Sequence, residues 1–297
     1  MIFVRLVLYL SLATPFGLAL FTLRDPRVAA AIRVRSWLFV AVAAALAASV
    51  VWLALASAQM AGLPVWPIDT DTLGVVLSGT SVGSAWIARL AALLVAGMAA
   101  GSRQGGLATY AAAAGLALAT LAWAGHGAVD DGAVGWLHLV ATIVHLLASG
   151  VWLGALTGLT LLLTRPALIE DGELLLAAHR ALRAFGPVGT VVVGLLVATG
   201  AIQSWLLVGP GNFAAPWATV YGRLLLAKLF LFVLMLALAA VNRFRLTPDL
   251  GQGVSGGEVR PTIGSLRLSL AVETFLAVTV IAVVAWLGVL APPVAGA

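Results

Sequence analysis

Cysteine is absent from the 297-residue chain, and charged residues make up only 9% of it. Without cysteine the chain forms no disulfide, has no thiolate nucleophile and offers no thiolate metal ligand. It also lacks a phosphate-binding glycine loop and a serine placed beside both a base and an acid, which argues against ATP-driven pumping and hydrolysis. We therefore do not expect an enzyme.

Apolar residues are what the chain has in abundance. They account for 62% of it, the mean hydropathy is +1.11, and 32 glycines are spread through the apolar runs. This composition predicts an all-α integral membrane protein whose helices approach one another closely in the lipid. The formal charge of +5 comes from cations scattered between apolar runs, so we expect no nucleic-acid partner.

The apolar runs predict a bundle of about eight transmembrane helices in one membrane domain. The predicted spans are residues 2–23, 37–60, 84–101, 105–123, 134–164, 186–208, 221–242 and 268–290. We divide them into a region 1–74, with two helices and an external loop, and a six-helix region 75–297. Between spans, residues 170–185 predict an amphipathic helix on the membrane surface, and residues 247–264 a Gly-rich polar loop.

Arginine positions predict the orientation of the bundle. Twelve of the sixteen cations fall in the connectors after the first, third, fifth and seventh spans: Arg24, Arg27, Arg33, Arg35, Arg103, Arg165, Arg180, Arg183, Arg243, Arg245, Arg260 and Arg267. Because such connectors are retained in the cytoplasm, both termini are expected to be extracytoplasmic. The fifth helix then runs inward.

Three of the four histidines lie in the stretch HGAVDDGAVGWLHLVATIVHLLASGVWLG, residues 126–154. His138 and His145 are seven residues apart, which places them on one helix face about 10 Å apart along its axis, too far to chelate one ion. They are either successive stations for a metal or a proton, with His126 at the mouth, or hydrogen-bonded structural histidines. Asp130 and Asp131 either attract a cation to the mouth or are simply solvated.

Other polar residues interrupt the apolar spans. Arg89, Arg223 and Lys228 are expected near the outer ends of their helices, where they either snorkel to water or border the external mouth. Lys228 is the deepest of the three. Glu273, in the inner part of the eighth span, is within reach of Asn242 or the arginine after it, as a structural pair or as a proton or cation relay.

Glycine recurs at every fourth position along the fifth predicted span. Gly150, Gly154 and Gly158 form this series. Such spacing lets a neighbouring helix pack backbone to backbone. The fifth helix is therefore expected inside the bundle, where its histidines face other helices.

Several stretches resemble the copper resistance protein D family of bacterial inner-membrane proteins. The strongest are HLLASGVWLGAL from His145, RAFGPVGTVVVGLLVATGAIQSWLLV from Arg183 and YGRLLLAKLFLFVLMLALAAVNRF from Tyr221. Supporting ones are GTSVGSAWIARL from Gly79, AGHGA around His126 and RLSLAVETF around Glu273. These motifs cover roughly residues 75–293.

The resemblance implies a multi-pass protein of the bacterial cytoplasmic membrane that moves copper from the periplasm towards the cytoplasm, sometimes beside a periplasmic copper-binding protein. Matching family positions are His126, His145, Trp152, Gly154, Tyr221, Gly222, Lys228, Asn242 and Glu273. His138 is a candidate through its spacing, and Met60 is a weak helper. Imidazole suits oxidised copper, yet the oxidation state is left open.

Two alternatives to transport stand beside this prediction. A membrane haem or electron-transfer protein would need histidines on facing helices at matching depth, whereas both membrane histidines share one helix. An accessory protein would dock a periplasmic copper carrier without transporting the ion itself. Oligomeric state, energy coupling and transport direction are not readable from these residues.

Overall fold

The computed structural model describes residues 1–66, 68–102, 106–124, 132–209, 217, 219–256 and 258–291. Eleven α-helices are found in these residues: α1 (Ile2–Thr22), α2 (Pro26–Ala31), α3 (Val34–Ala61), α4 (Thr70–Gly79), α5 (Ser81–Gly101), α6 (Gly106–Ala119), α7 (Gly132–Leu163), α8 (Gly172–Val208), α9 (Val220–Val241), α10 (Thr247–Gly256) and α11 (Arg260–Leu287). A 3₁₀ turn extends α6 over Thr120–Ala124, and a π-helical turn, Asn242–Leu246, joins α9 to α10.

Eight of these helical stretches are long and apolar enough to cross a membrane, as the sequence predicts. They are α1, α3, α5, α6 with its 3₁₀ extension, α7, α8, α9 continued through α10, and α11. No strand occurs in the described ranges. We call the end of the bundle where α1 and α7 begin the Met1 end, and the opposite end the Arg24 end.

Helices α1 and α7 form the centre of the bundle and cross at glycines. A Cβ atom added to Gly154 would overlap the backbone of Gly17, and one added to Gly17 would overlap the backbone of Gly150. Gly158 lies against the ring of Phe21. Only residues without a side chain permit two helix backbones to approach this closely.

A cleft lies between α8 and α9. Helix α8 packs mainly on α7, and α9 packs mainly on α11. Over the described residues, α8 and α9 make few contacts with each other. Helix α8 does contact the π-helical turn that follows α9. Helices α7 and α11 therefore form the floor of an open cleft whose walls are α8 and α9.

The predicted surface helix over residues 170–185 is wrong as a separate element. Helix α8 is continuous over 37 residues, about 55 Å at 1.5 Å per residue, so this segment is its first half. Asp171 caps it by accepting from the Leu174 N–H at 3.0 Å. Leu175, Ala178 and Leu182, spaced by three or four residues, are buried against the bundle.

The predicted polar loop over residues 247–264 is also wrong, because most of it is helical. Pro248 is the second residue of α10, directly beyond the π-helical turn, so the helix passes through a residue that has no N–H to donate to the preceding turn. Leu250 is fully buried, and Gly251 lies against the His179 ring. Burial of one apolar side chain and a close glycine contact hold this segment on α8.

Arginines at the Arg24 end also join helices. Arg35 donates to the Ala100 carbonyl of α5 at 2.8 Å, and Arg267 donates to the last carbonyl of α7, at Leu163, at 2.7 Å. Such cations satisfy carbonyls that the helix leaves open and complement its dipole. Arg27 and Glu173 form an ion pair at 2.5 Å that ties α2 to the start of α8.

Candidate functional site

One face of α7 presents three polar side chains to the cleft at a spacing of seven residues. These are His138, His145 and Trp152. Seven residues are nearly two helical turns, so the side chains are stacked along the axis about 10 Å apart. A polar line therefore runs from the Met1 end of the cleft past the middle of the bundle.

The first of these residues lines a cavity at the Met1 end, which we name the outer cavity after the orientation predicted from the sequence. His138 is 4% exposed, and the cavity has a volume of about 150 Å³. Its polar lining consists of Arg5, Tyr9, His138, Thr142, Gln203, Ser204, Tyr221 and Lys228. Among the described residues that line it there is no carboxylate, so its ionisable groups are cations, phenols and the imidazole.

His145 lies one step deeper and is oriented by Thr199 of α8. The His145 Nδ1 atom is 2.9 Å from Thr199 Oγ1, and that hydroxyl donates its own proton to the Leu195 carbonyl at 2.6 Å. Thr199 must therefore accept from Nδ1–H, which leaves Nε2 of a neutral imidazole with its lone pair free. This is the arrangement in which a histidine binds a metal ion.

Thr199 itself was not among the residues predicted from the sequence. A hydroxyl residue within the apolar run VATG was its only signal, and many such hydroxyls simply bond their own helix. Lys228 of α9 is close enough to His145 to act on it electrostatically. Through Thr199 and Lys228, α8 and α9 both contribute to the surroundings of His145.

Trp152 meets Glu273 at an inner cavity nearer the Arg24 end. Its indole N–H donates to Glu273 Oε1 at 3.0 Å, and Asn242 Nδ2 donates to Oε2 at 3.1 Å. The sequence predicts a contact between Glu273 and either Asn242 or the following arginine, and the structure has the amide. Arg243 instead donates to the Gly186 carbonyl at 2.9 Å.

Arg89 does not snorkel to water, contrary to the first of its two sequence interpretations. It is 1% exposed, and its Nε donates to Thr120 Oγ1 at 2.9 Å. Its guanidinium also lies 5.6 Å from the centroid of the Trp52 ring. The 3₁₀ turn that begins at Thr120 brings polar atoms to the buried guanidinium, and Arg89 lines neither cavity beside α7.

Several predicted residues do not join the face of α7. His126, Asp130 and Asp131 lie outside the described residues. Arg223 is exposed on the first turn of α9, and Met60 is 63% exposed at the end of α3. Neither lines the two cavities beside α7.

No closed metal centre is formed by the part of the chain that the structure describes. It contains no group of three or more His, Cys, Asp or Glu side chains close enough to hold an ion. His138 and His145 are on one helix, and His179 lies towards the Arg24 end of α8, so these three offer no facing pair for haem. What the described face offers is single imidazoles in series.

Two family models match the chain. Their descriptions are "Copper resistance protein D-like, N-terminal domain", over residues 1–136, and "Copper resistance protein D", over residues 179–287. The first match begins at residue 1, so the likeness extends beyond the 75–293 region that the motifs mark. It includes α1, the helix that packs on α7 through the glycine contact.

Individual relatives agree with the family models. Copper resistance protein D of Pseudomonas syringae pv. tomato is 37% identical over 97% of this chain and 96% of its own length. The inner membrane protein YebZ of Escherichia coli is 31% identical over 44% of this chain and 43% of its own. The copper transport protein CutJ of Bacillus subtilis is 30% identical over 41% of this chain and 21% of its own length. No solved structure matches.

Proposed function

Because the chain belongs to the copper resistance protein D family, we propose that it carries copper ions across the bacterial inner membrane, in which it is a multi-pass protein. The proposed direction is from the periplasm towards the cytoplasm. The proposed route follows the α7 face of the cleft, from His138 in the outer cavity to His145. His126, in the loop before α7, is the proposed first ligand at the mouth.

The hydrogen bond from His145 Nδ1–H to Thr199 carries this proposal. It orients the ring and leaves Nε2 as the ligand atom, with a second residue that fixes which nitrogen is protonated. Nitrogen ligation also suits oxidised copper in a chain that has no thiolate.

We expect Lys228 to influence how tightly a copper ion is held at His145. In its protonated form, the Lys228 side chain would raise the electrostatic energy of a metal ion bound at His145. Arg5 has the same effect in the outer cavity. Weak binding at successive sites is what conduction requires, because an ion held strongly would not leave. A periplasmic copper-binding protein that delivers the ion would dock at the Met1 end.

Metal analysis of the detergent-purified protein tests the proposal. Equilibrium dialysis against copper is compared for the natural protein, a His126→Ala/His138→Ala/His145→Ala variant and a His179→Ala control. Copper retained by the natural protein and the control but lost from the triple variant is the expected result. Equal retention in all three would exclude the route along α7, and a haem Soret band would favour electron transfer.

A further inference from the structure

Glu273 is a carboxylic acid buried in apolar surroundings at the inner cavity. It is 3% exposed, and the cavity, of about 260 Å³, is lined mainly by Leu, Phe, Val, Ala and Gly residues. Burying a carboxylate without a cation is strongly unfavourable unless hydrogen bonds or a proton compensate it. The contacts of Glu273 therefore decide in which form it exists.

Those contacts are two neutral hydrogen-bond donors. Trp152 Nε1 bonds one carboxyl oxygen and Asn242 Nδ2 bonds the other. Each carboxyl oxygen keeps acceptor capacity, and Asn242 Oδ1 is buried without any hydrogen-bond partner. Asn242 is only 8% exposed. The site thus has more hydrogen-bond acceptors than donors. A proton bound to the carboxyl group would supply the missing donor.

Among the described residues, no cation forms an ion pair with Glu273. Of the described residues that line the inner cavity, the one other ionisable residue is Arg243, whose guanidinium bonds Gly186 and Thr190 and lies over Phe244. The remaining titratable groups on elements packed against α11, and on α11 itself, lie at other levels: Arg5, Tyr9, His138, His145, Tyr221, Arg223 and Lys228 towards the Met1 end, and Arg245, Asp249, Arg260 and Arg267 towards the Arg24 end. Lys228 precedes Asn242 by 14 residues, about 21 Å along a helix.

We propose that Glu273 is a reversible proton-binding site and that Asn242 is its partner in both protonation states. In the carboxylate form the amide donates from Nδ2, as in the structure. When a proton from the bulk solution binds Oε2, the carboxyl group becomes a donor, and rotation of the amide by half a turn lets Oδ1 accept from it. Trp152 donates to the other oxygen in both states.

This site is separate from the histidine route but is linked to it through α7. Trp152 follows His145 by seven residues on the same helix face. The cavity extends from Glu273 to Arg243 and Phe244, which are exposed, and the proposed path of the proton follows it towards the Arg24 end. The proton site does not depend on copper binding and is testable in metal-free protein.

Infrared difference spectroscopy of the metal-free, detergent-purified protein across a pH titration tests the proposal. We expect a carbonyl stretching band of a buried carboxylic acid that appears as the pH falls. The band should vanish in Glu273→Gln, persist at a changed frequency in Glu273→Asp, and persist unchanged in Asp249→Asn, which alters an exposed carboxylate of α10. Gel filtration confirms that each variant is folded.

Three outcomes would overturn the proposal. They are a band retained in Glu273→Gln, no band in the natural protein, or a band that does not change with pH. Asn242→Leu, which can neither donate nor accept, should shift the midpoint of the titration by about one pH unit, which corresponds to about 1.4 kcal/mol. An unchanged midpoint would remove Asn242 from the site.

Discussion

A single threonine determines which nitrogen of His145 is available to a metal ion. Thr199 uses its proton on the Leu195 carbonyl and therefore accepts from the imidazole. Without that acceptor the ring is free to take either tautomer and to rotate. Removal of such a partner from a metal-binding histidine lowers the affinity for the metal by about 10- to 100-fold.

Thr199→Val keeps the shape of the side chain and removes the hydroxyl. We expect the variant to bind copper about tenfold more weakly than the natural protein, because His145 loses its acceptor. Equilibrium dialysis measures this affinity. Thr199→Ser is the matched control, since it retains a hydroxyl that can bond Leu195 and accept from His145. Equal affinities for the valine variant and the natural protein would show that Thr199 does not orient a metal ligand.

Arg89 and Glu273 show what single residues in a membrane sequence reveal. Sequence reasoning identified both as ionisable residues in apolar helices and placed Glu273 near Asn242. It could not show that Arg89 is fully buried, because its partners are Thr120 and the Trp52 ring, 31 and 37 positions away in the chain. A cation near a helix end either snorkels or finds internal partners, and only the packing decides between them.

At the level of elements, the contact between α1 and α7 depends on glycine at Gly17 and Gly154. The every-fourth-residue spacing in α7 indicates a close neighbour, yet it does not name the neighbour. Helix α1 is distant in sequence, and its apolar residues are spread around its circumference, so no periodicity marks the face that it buries. The structure identifies α1 as the partner.

Replacing Gly154 by alanine should lower the Tm of the detergent-purified protein. The added Cβ would overlap the Gly17 backbone, which cannot move aside as a flexible side chain does, and such overpacking costs about 1–3 kcal/mol or more. Gly194→Ala in α8 is the control, because a Cβ there meets no atom within 4 Å. Equal Tm values for the two variants would contradict the contact.

Segments of low hydropathy were the elements that sequence reasoning assigned incorrectly. Residues 170–185 contain charges and glycine, and residues 247–264 also contain proline, a composition typical of surface segments and loops. The first segment is helical as predicted but is part of α8, whereas the second is mostly helical where a loop was predicted. Each buries a few residues, such as Leu182 and Leu250. Local composition predicts exposure, whereas these segments are stabilised by tertiary packing.

For the whole molecule, the number of spanning helices was readable from hydropathy because a bilayer imposes a minimum apolar length. Eight spans were predicted, and the described residues contain eight helical stretches of suitable length and hydropathy. The cleft was not predictable in the same way. It results from α8 and α9 packing on different partners, and no residue in either helix marks the absence of a mutual contact.

The orientation of the molecule is testable because the chain has no cysteine that would react in the background. Leu63→Cys is at the Met1 end and Asp249→Cys is at the Arg24 end, both at exposed positions. With extracytoplasmic termini, a membrane-impermeant maleimide should label Leu63→Cys in intact spheroplasts and Asp249→Cys only after permeabilisation. The reverse pattern would place the outer cavity on the cytoplasmic side and reverse the proposed direction.

The glycine contact also determines which parts of the bundle are able to move. With their backbones touching, α1 and α7 form a stationary unit that cannot slide or rotate without a steric clash. Helices α8 and α9 have no comparable restraint between them. Because α8 packs on α7 and α9 packs mainly on α11, a change in the width of the cleft would move Lys228 relative to His145 and leave Thr199 beside it. On the proposed route, one wall of the cleft is therefore held with the histidines and the other is not.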